Sequence, residues 1–324
     1  MSDILGQLEQ LLGQKVKKNE PLSQHNSLKI GGLAHFYIEI DNLEKLIEVV
    51  RFSQQRDLPY VVIGGGSHVV FPDNGFDGLV IQNKCRRFEL VSVVGKIKSQ
   101  KMNVDKAFLY AESGALTNQV VRYSIEQGFA GLEYALGLPG TIGGAIATNA
   151  DFPPQEFTIC SNIHRVKILT NKCQIKEVGA DYFHFKTNTK LLKENNEIIL
   201  SVIFSLTPDS QQSLWERGQE AVLYRNIKDN QQIKGITYRK LSLSEIDDLV
   251  YKNILPPLET ILQHSQIGKY VYGGIRLFSN NPRFILNSGS GKTNDFLQIL
   301  YAVKKRLKEQ YKILIDIQID QIGV

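Results

Sequence analysis

The sequence predicts an α+β protein, because helical and strand-like residue patterns alternate along its 324 residues. A strong apolar β run from Asn196 to Leu206 closes a first lobe, and the segment Thr207 to Gln211 that follows has the composition of a linker. With 42% hydrophobic and 22% charged residues, the chain has the composition of a globular protein. Its length is sufficient for two or three lobes with substantial cores.

Each element of the first lobe follows from its pattern. Helices are predicted where apolar residues have helical spacing, at residues 3–14, 42–56 and 115–127. In the second of these, Leu43, Leu46 and Val50 fall on one face. Strands are predicted where short apolar runs occur, at residues 58–63, 78–82, 107–112 and 164–169.

The part of the chain after the linker contains three further helical patterns and one strand pattern. The helices are predicted near residues 210–228, at 255–265 and from Asn294 to Tyr311. The strand is predicted from Ile313 to Ile319, because isoleucine occupies every second position there.

Charge and cysteine usage exclude several classes of function. The formal net charge of +5 is mild and spread along the chain, so it does not suggest a nucleic-acid partner. No apolar run approaches the length of a membrane helix, and the amphipathic start lacks the apolar stretch of a signal peptide. The three cysteines have no metal-type spacing. We therefore expect a cytoplasmic protein without a metal ion and without a membrane contact.

The first of two glycine-rich segments lies at residues 61–71. An apolar run ends at Ile63 and enters Gly64 to Gly66, which precede Ser67, His68 and a second strand-like run from Val69. The spacing is not G-x-G-x-x-G and a strand pattern follows where a helix should, so the segment is not a Rossmann fingerprint. Taken alone, it is typical of either a tight turn or a phosphate-binding loop.

The second segment, residues 128–150, reads GFAGLEYALGLPGTIGGAIATNA. Gly137 to Gly140 has the composition of a turn, because a proline with fixed φ lies next to a flexible glycine. The residues from Thr141 to Asn149 have too little side-chain volume for ordinary core packing. A backbone that wraps closely round a flat, phosphate-bearing ligand would explain both segments.

With these two segments the chain resembles the UDP-N-acetylmuramate dehydrogenase family, also called UDP-N-acetylenolpyruvoylglucosamine reductase. In that family a GGGS loop and a G-x-PG-[TS]-[IV]-GGA-x(3)-NA run hold the pyrophosphate and flavin of FAD. The resemblance extends to Leu22–Gly32, Gly268–Asn287 and Ile315–Gly323. Residues 94–108 resemble an insertion, and residues 208–265 match weakly.

The resemblance implies an FAD-binding domain of the PCMH/vanillyl-alcohol-oxidase type, which consists of two α/β subdomains, and a smaller α/β C-terminal lobe. The implied boundaries are 1–207 for the FAD-binding domain, with subdomains at about 20–82 and 83–207, then 208–312 for a substrate-type domain and 313–324 for a tail strand that returns to the flavin site.

FAD is the cofactor that the resemblance implies, and it leaves NADPH and a UDP-sugar nucleotide open as further ligands. It names no protein partner. The residues at the family's FAD-binding positions are Ile63, Gly64, Gly65, Gly66, Ser67, His68, Val69, Pro139, Gly140, Thr141, Gly143, Gly144, Ala147 and Asn149. His68 stands where the family more often has Asn, which implies that it helps to order the phosphate loop.

The chain departs from the family at three catalytic positions. Family members transfer hydride from reduced flavin to an enolpyruvyl carbon, while an Arg and a Glu stabilise developing charge and a Ser delivers the proton. Lys186 stands at the Arg position, Ile236 at the Ser position and Gln318 at the Glu position. Lysine lacks the two-pronged donor of arginine, isoleucine has no proton to give, and an amide does not exchange protons at neutral pH.

Two functions stay open at this point. The three substitutions favour a pseudoenzyme, or a divergent flavoprotein with a binding or regulatory role. The alternative is an active NADPH-dependent reductase in peptidoglycan precursor synthesis, with its acid and charge stabiliser at shifted positions. Asp316 and Asp320 flank Gln318 on one strand face, so a register shift of two residues would restore a carboxylate.

Overall fold

The structure is a computed structural model that describes residues 2–98, 101–183, 195–227, 237–240, 260–261, 264–278, 281–312 and 320–322. It confirms the predicted α+β class. The chain forms two compact units, each assembled from discontinuous segments. The first unit contains residues 1–16, 38–65 and 81–231, and the second contains residues 17–37, 66–80 and 232–324. The domain boundaries expected from the sequence stay a prediction.

Six helices are described. They are α1 (Ser2–Leu12), α2 (Leu43–Gln55), α3 (Thr117–Glu126), α4 (Ile142–Ala147), α5 (Gln211–Ile227) and α6 (Thr293–Tyr311). All of them except α6 lie in the first unit.

The described strands vary in length from two residues to twelve. They are β1 (Lys17–Pro21), β2 (Leu33–Ile40), β3 (Tyr60–Ile63), β4 (Val69–Val70), β5 (Phe76–Asn83), β6 (Phe88–Lys98), β7 (Lys101–Glu112), β8 (Phe129–Ala130), β9 (Asp151–Phe152), β10 (Phe157–Thr158), β11 (Ile163–Leu169), β12 (Ile175–Val178), β13 (Ile198–Pro208), β14 (Thr237–Lys240), β15 (Val271–Tyr272), β16 (Ile275–Phe278), β17 (Asn281–Asn287) and β18 (Asp320–Gln321).

These strands form three larger sheets and two short pairs. The sheets have the strand orders β1-β2-β5-β3, β12-β11-β13-β7-β6 with β8 beside β13, and β14-β17-β16-β15. The pairs are β10-β9, which is antiparallel, and β18-β4, which is parallel.

The core of the first unit lies on one face of the six-stranded sheet. Alternate residues of β7, such as Leu109 and Ala111, are buried there, and Phe204 of β13 packs into the same cluster. The helices α3, α4 and α5 contribute residues to this cluster, among them Val121 and Leu214. The sheet therefore carries the helices that lie around the second glycine-rich segment.

Residues 94–108, which resemble an insertion, form most of a long β6–β7 hairpin. The register runs from Phe88 opposite Ala111 to Lys98 opposite Lys101, with irregularities between Leu90 and Ser92 and between Val94 and Gly95. The sequence predicted only the end of β7 as a strand, at 107–112, so the hairpin is longer than expected.

Helix α2 shows how local sequence sets an element. The side chain of Asn42 accepts hydrogen bonds from the backbone N–H groups of Glu44 at 2.8 Å and Lys45 at 3.1 Å, so it begins the helix as an N-cap. Leu46 and Val50 are buried on the predicted face. The observed helix agrees with the prediction at 42–56.

The core of the second unit lies between α6 and the β14–β17 sheet. Phe296 and Val303 on the helix and Ile285 on the sheet are fully buried. Asp73 caps the helix, because its carboxylate accepts from the N–H of Thr293 at 2.7 Å. The strand predicted at 313–319 and most of the helix predicted at 255–265 lie outside the described residues.

Candidate functional site

The first glycine-rich segment turns the chain at the end of strand β3. Ile63, the last residue of the strand, is buried, and Gly64 and Gly65 follow it in the first unit. Gln82 of β5 donates from Nε2 to the Gly64 carbonyl oxygen at 3.2 Å. A side chain from the neighbouring strand therefore holds the start of this turn.

The second segment is a turn that leads into a short helix. Gly137 and Gly140 have φ values of +87° and +100°, the left-handed region that favours glycine. Thr141 then begins α4, and its Oγ1 accepts from the N–H of Gly144 at 3.4 Å. Pro139, between the two turn glycines, is exposed. The predicted turn at 137–140 is confirmed.

One face of helix α4 belongs to the core of the first unit. Ile142, Ala145 and Ile146 are buried there. The expectation that this run has too little volume for core packing is wrong for that face, because two buried isoleucines outweigh the weak helix propensity of two glycines. Gly144 lies on the exposed side of the helix. Helix α4 thus has a packed face and an open face.

The two segments meet inside the first unit. A Cβ added to Gly65 would lie 3.1 Å from the Cα of Gly140, and one added to Gly64 would overlap Oγ1 of Thr141. A side chain at Gly64 would therefore displace the Thr141 hydroxyl, and one at Gly65 would push the backbone of Gly140 away by a few tenths of an ångström. The N–H of Thr117 on α3 donates to the Gly140 carbonyl oxygen at 3.1 Å and fixes the turn in this place.

The two neighbouring glycines of α4, Gly143 and Gly144, differ in whether packing requires a glycine there. A Cβ on Gly143 would lie 2.8 Å from the Cβ of Ser113, so packing explains this glycine. A Cβ on Gly144 would meet Oγ1 of Thr141 at 3.5 Å, which is an ordinary contact, and Gly144 has no positive φ. Alanine would suit a helix better by about 1 kcal/mol. No contact within the described chain requires Gly144, and its position leaves room for a ligand to approach the backbone.

Two backbone N–H groups at the start of α4 already have hydrogen-bond partners within the protein. The N–H groups of Ile142 and Gly143 donate to the carbonyl oxygens of Ala115 at 2.9 Å and Ser113 at 2.8 Å. The N–H of Gly144 makes the long 3.4 Å contact with the Thr141 hydroxyl. Gly143 therefore contributes close packing to the site, whereas Gly144 can offer an N–H group on the open face.

Asn149 closes the second segment with an unused acceptor. Its Oδ1 is buried and has no hydrogen-bond partner within the described chain. Its φ of +44° is the left-handed conformation that asparagine tolerates better than most residues. A buried acceptor without a donor costs about 1–3 kcal/mol. Ala147, two residues before Asn149, is half-buried. That these two residues contact a cofactor stays a prediction.

The remainder of the first segment lies in the second unit. Gly66 has a φ of +67°, and a Cβ there would overlap the carbonyl oxygen of His25. The N–H of Ser27 donates to the Gly66 carbonyl oxygen at 3.2 Å. The chain after the glycines is therefore fixed against residues 25–27 of the same unit.

Ser67, His68 and Val69 complete the first segment. Oγ of Ser67 and Nδ1 of His68, which are neighbours in the loop, form a hydrogen bond at 3.2 Å. That His68 orders the loop stays a prediction. Val69 begins β4 and pairs with Asp320 of β18. The structure brings the C-terminal strand beside the first segment within the second unit.

The three substituted catalytic positions, Lys186, Ile236 and Gln318, lie outside the described residues. Thr237, directly after Ile236, is the first residue of β14 and pairs with Asn287 of β17.

The sequence analysis missed two residues that shape the second segment. Ser113 packs against Gly143, and Arg225 of α5 donates hydrogen bonds to the carbonyl oxygens of Tyr134 and Leu136. Arg225 has no sequence signal, because 89 residues separate it from Leu136. Ser113 follows a predicted strand directly, and its position at that strand end is the signal that could have indicated it.

Other kinds of site find no support in the described ranges. No group of three or more potential metal ligands occurs within the described part of the chain. Burial raises the pKa of the Cys85 thiol to about 12 and also raises the pKa values of Cys160 and Cys173, so none of the three is an activated nucleophile. Among the described helices, none combines the length and the apolar character needed to cross a bilayer.

Comparison with protein families finds a match to an FAD-binding domain. The sequence profile of the FAD binding domain matches residues 34–179, which include both glycine-rich segments. The UDP-N-acetylenolpyruvoylglucosamine reductase of Geobacillus kaustophilus is 26% identical over 99% of this chain and 97% of its own length. That of Exiguobacterium sibiricum is 27% identical over 99% of this chain and 97% of its own length.

Comparison with solved structures gives the same fold. The UDP-N-acetylenolpyruvylglucosamine reductase of Thermus caldophilus matches with a TM-score of 0.66 and 16% identity, over 95% of this chain and 98% of that one. The predicted FAD-binding fold is confirmed, and the chain resembles these reductases over nearly its full length.

Proposed function

We propose that this chain is an FAD-binding flavoprotein that has the fold of UDP-N-acetylenolpyruvoylglucosamine reductases but catalyses their reaction at or near background rate. The main observation in favour of FAD as the cofactor is the place where the two glycine-rich segments meet. It combines Gly144, an exposed helix glycine that no described contact requires, with Asn149, whose buried Oδ1 has no described donor.

The residues present fit FAD. Gly64, Gly65 and Gly140 bring two backbones together without side chains between them, which suits a ligand with a flat ring and a pyrophosphate. In this proposal the open N–H of Gly144 and the Thr141 hydroxyl are on the pyrophosphate side, and Asn149 accepts a hydrogen bond from the ligand. Bound FAD would supply the capacity to accept and pass on hydride.

The proposed loss of activity follows from the residues at the three substituted positions. Lys186 would keep a positive charge near a substrate carboxylate but would bind it through one point instead of two. Ile236 would have no proton to deliver, and Gln318 would donate a hydrogen bond without proton exchange.

These substitutions act on the same transition state, so their effects combine. Loss of a general acid costs roughly 10²–10⁴-fold in rate. Loss of one charge stabiliser costs about 2.7–4 kcal/mol in addition. A flavoprotein with such a reduced catalytic rate would have a binding or regulatory role.

A working NADPH-dependent reductase in peptidoglycan precursor synthesis is the second candidate. One observation favours it: strand β18, which begins at Asp320, two residues after Gln318 in the sequence, pairs with β4 beside the first glycine-rich segment. The sequence thus has a carboxylate residue two positions after the substituted one. In this alternative NADPH is the reductant and the UDP-sugar nucleotide is the substrate. A cytoplasmic location is part of the proposal and agrees with both candidate functions.

The deciding experiment is an assay of the purified protein for FAD content and for NADPH oxidation with the enolpyruvyl nucleotide. We expect a yellow protein, or one that takes up FAD on titration, with turnover at background. A colourless protein that takes up no FAD would contradict the cofactor. A turnover near the typical enzyme value of about 10 s⁻¹ would establish the alternative.

The triple variant K186R/I236S/Q318E tests whether the substitutions are the cause. We expect it to raise NADPH oxidation above the parent rate, whereas single replacements have little effect, because residues that act as one unit are strongly non-additive. A triple variant that binds FAD and the nucleotide but stays inactive would contradict the assignment of these positions.

A matched pair of glycine variants tests the FAD-binding loop. Gly144 and Gly6 are both exposed helix residues whose added Cβ would meet no tight contact. We expect Gly144→Ala to reduce FAD affinity about tenfold or more, by blocking backbone approach, while Gly6→Ala leaves it unchanged. Both should raise the stability of the FAD-free protein by about 0.5–1 kcal/mol. Equal FAD affinities in the two variants would exclude Gly144 from the site.

A further inference from the structure

Arg225 lies in the last turn of helix α5, with its side chain directed into the first unit. Its guanidinium lies over the ring of Phe152, 5.5 Å from the ring centroid. The hydrogen bonds that it makes to described residues all go to main-chain carbonyl oxygens: Leu136 at 2.7 Å, Tyr134 at 2.8 Å and Asp151 at 3.4 Å. A guanidinium can bind three carbonyls at once because its five N–H donors form a rigid planar fork.

These carbonyls lie on both sides of residues 137–149, the part of the second glycine-rich segment that contains its turn and helix α4. Tyr134 and Leu136 come three residues and one residue before Gly137, and Asp151 comes two residues after Asn149. One side chain therefore holds the entry and the exit of the segment in a fixed relation, although it belongs to neither.

Aromatic packing strengthens the same connection. The rings of Tyr134 and Phe152 are stacked with centroids 5.3 Å apart, and Tyr224 meets Phe152 edge-on at 5.1 Å. The three rings of Tyr134, Phe152 and Tyr224 thus form one cluster. The guanidinium of Arg225 lies over the middle ring, that of Phe152.

The charge of Arg225 persists despite its surroundings. Burial lowers its pKa to about 10, while the charge of Asp151 acts in the opposite direction. The group is therefore still protonated at neutral pH, and the carbonyl dipoles around it are needed to solvate its charge. Removal of the guanidinium would leave the three carbonyl oxygens without this donor, and removal of a carbonyl would leave part of the charge without an acceptor.

A second hydrogen bond, from a different helix, holds the turn that begins at Gly137. Oδ1 of Asn118 on α3 accepts from the N–H of Gly137 at 2.7 Å. The turn that precedes Thr141 is thus held by α5 through its carbonyls and by α3 through its N–H group.

We propose that Arg225 is a positioning residue for FAD binding, which sets the geometry of the segment Gly137–Asn149 by holding its two ends. This inference rests on the proposed flavin-binding function. Arg225 does not touch the ligand. Its effect is to keep the N–H of Gly144 and Oδ1 of Asn149 in the arrangement that one ligand can use at the same time.

The test compares Arg225→Lys with Arg217→Lys. Arg217 is on the same helix and forms ion pairs with Glu133 at 3.0 Å and Asp209 at 2.6 Å, so its replacement perturbs the helix without freeing the carbonyls that bracket the segment. The readouts are the FAD dissociation constant and the visible circular dichroism of the protein at saturating FAD. The unfolding transition of the FAD-free protein controls for general destabilisation.

We expect R225K to weaken FAD binding about tenfold or more and to change the circular dichroism of the bound flavin, because lysine cannot reach three carbonyls in a plane. R217K should leave both flavin readouts at the parent values. An R225K protein with parental affinity and spectrum, or equal effects in both variants, would overturn the inference. If R225K does not fold, Arg225→Gln, which keeps two N–H donors, takes its place with the same criteria.

The design separates this inference from the function on which it rests. A parent protein that takes up no FAD contradicts the proposed function. A parent protein that binds FAD, with an R225K variant that binds it equally well, contradicts only the role of Arg225.

Discussion

The two glycine-rich segments have similar compositions but different reasons for their glycines. In the first segment each glycine is explained by protein contacts, since an added Cβ on Gly64 or Gly66 would overlap another residue and one on Gly65 would lie 3.1 Å from Gly140. In the second, an added Cβ would also meet close contacts at Gly128, Gly131, Gly137 and Gly143, but Gly144 has neither a close neighbour nor a positive φ.

This difference shows where evidence for a ligand is found. A glycine that the chain itself requires says nothing about a ligand, because selection for folding alone would keep it. A glycine that weakens its own helix by about 1 kcal/mol and fills no internal need is better evidence. By this criterion, Gly144 of the second segment is more informative about a ligand than any glycine of the first segment.

The largest expected effect is that of Gly66→Val, which tests the packing explanation for the first segment. Valine would both adopt a positive φ and overlap the His25 carbonyl oxygen, so we expect a loss of about 3 kcal/mol or more in the free energy of unfolding. Gly289→Val is the control, because Gly289 has a φ of +102° but no atom within 4 Å of an added Cβ. Similar urea midpoints for both variants would contradict the packing explanation.

The next effect distinguishes two adjacent glycines of α4. Gly143→Ala should destabilise the protein by about 1–3 kcal/mol, because its methyl group would press on Ser113. Gly144→Ala should stabilise the FAD-free protein by about 0.5–1 kcal/mol. Thermal unfolding of the FAD-free variants measures both, and shifts of the same sign would remove the distinction between them.

A double-mutant cycle tests the contact between the segments. Gly64→Ala should cost about 1–3 kcal/mol by overlap with Oγ1 of Thr141, and Thr141→Ala should cost about 1 kcal/mol by loss of the helix cap. The double variant should lose less than the sum, because Thr141→Ala removes the overlapped atom. Additive losses in urea unfolding would show that the two segments are not in contact.

The smallest effect concerns the unused acceptor. Asn149→Gly keeps the backbone conformation and removes Oδ1, so the FAD-free protein should be no less stable than the parent. FAD affinity should fall about five- to tenfold, the value of roughly one hydrogen bond. A flavin titration with parental affinity would mean that Oδ1 does not contact the cofactor.

Much of the fold could be predicted because its signals are local. Helix α2 has an N-cap at Asn42 and an apolar face, and the long helix predicted from Asn294 to Tyr311 is observed at Thr293–Tyr311. The β run predicted at 196–206 is observed as Ile198–Pro208. In these cases residue spacing and flanking residues carry the information.

The missed features depend on contacts between distant parts of the chain. Helix α4 has glycine at two of its six positions, so propensity opposes it, and only burial of Ile142 and Ile146 explains it. Gly66 is required by the carbonyl of His25, which is not visible in the local GGGS pattern. The family resemblance indicated which residues belong to the site but not which of them the protein needs for its own packing.

The dependence of the second segment on Arg225 has a consequence for the order of events during synthesis. The guanidinium binds carbonyls that precede it by 74 to 91 residues. A chain that is still growing on the ribosome therefore has the whole segment Gly137–Asn149 long before it has the residue that holds the two ends together. Contacts across such distances form late, because closing the long loop costs entropy first. We expect the flavin site to be among the last parts of the first unit to mature.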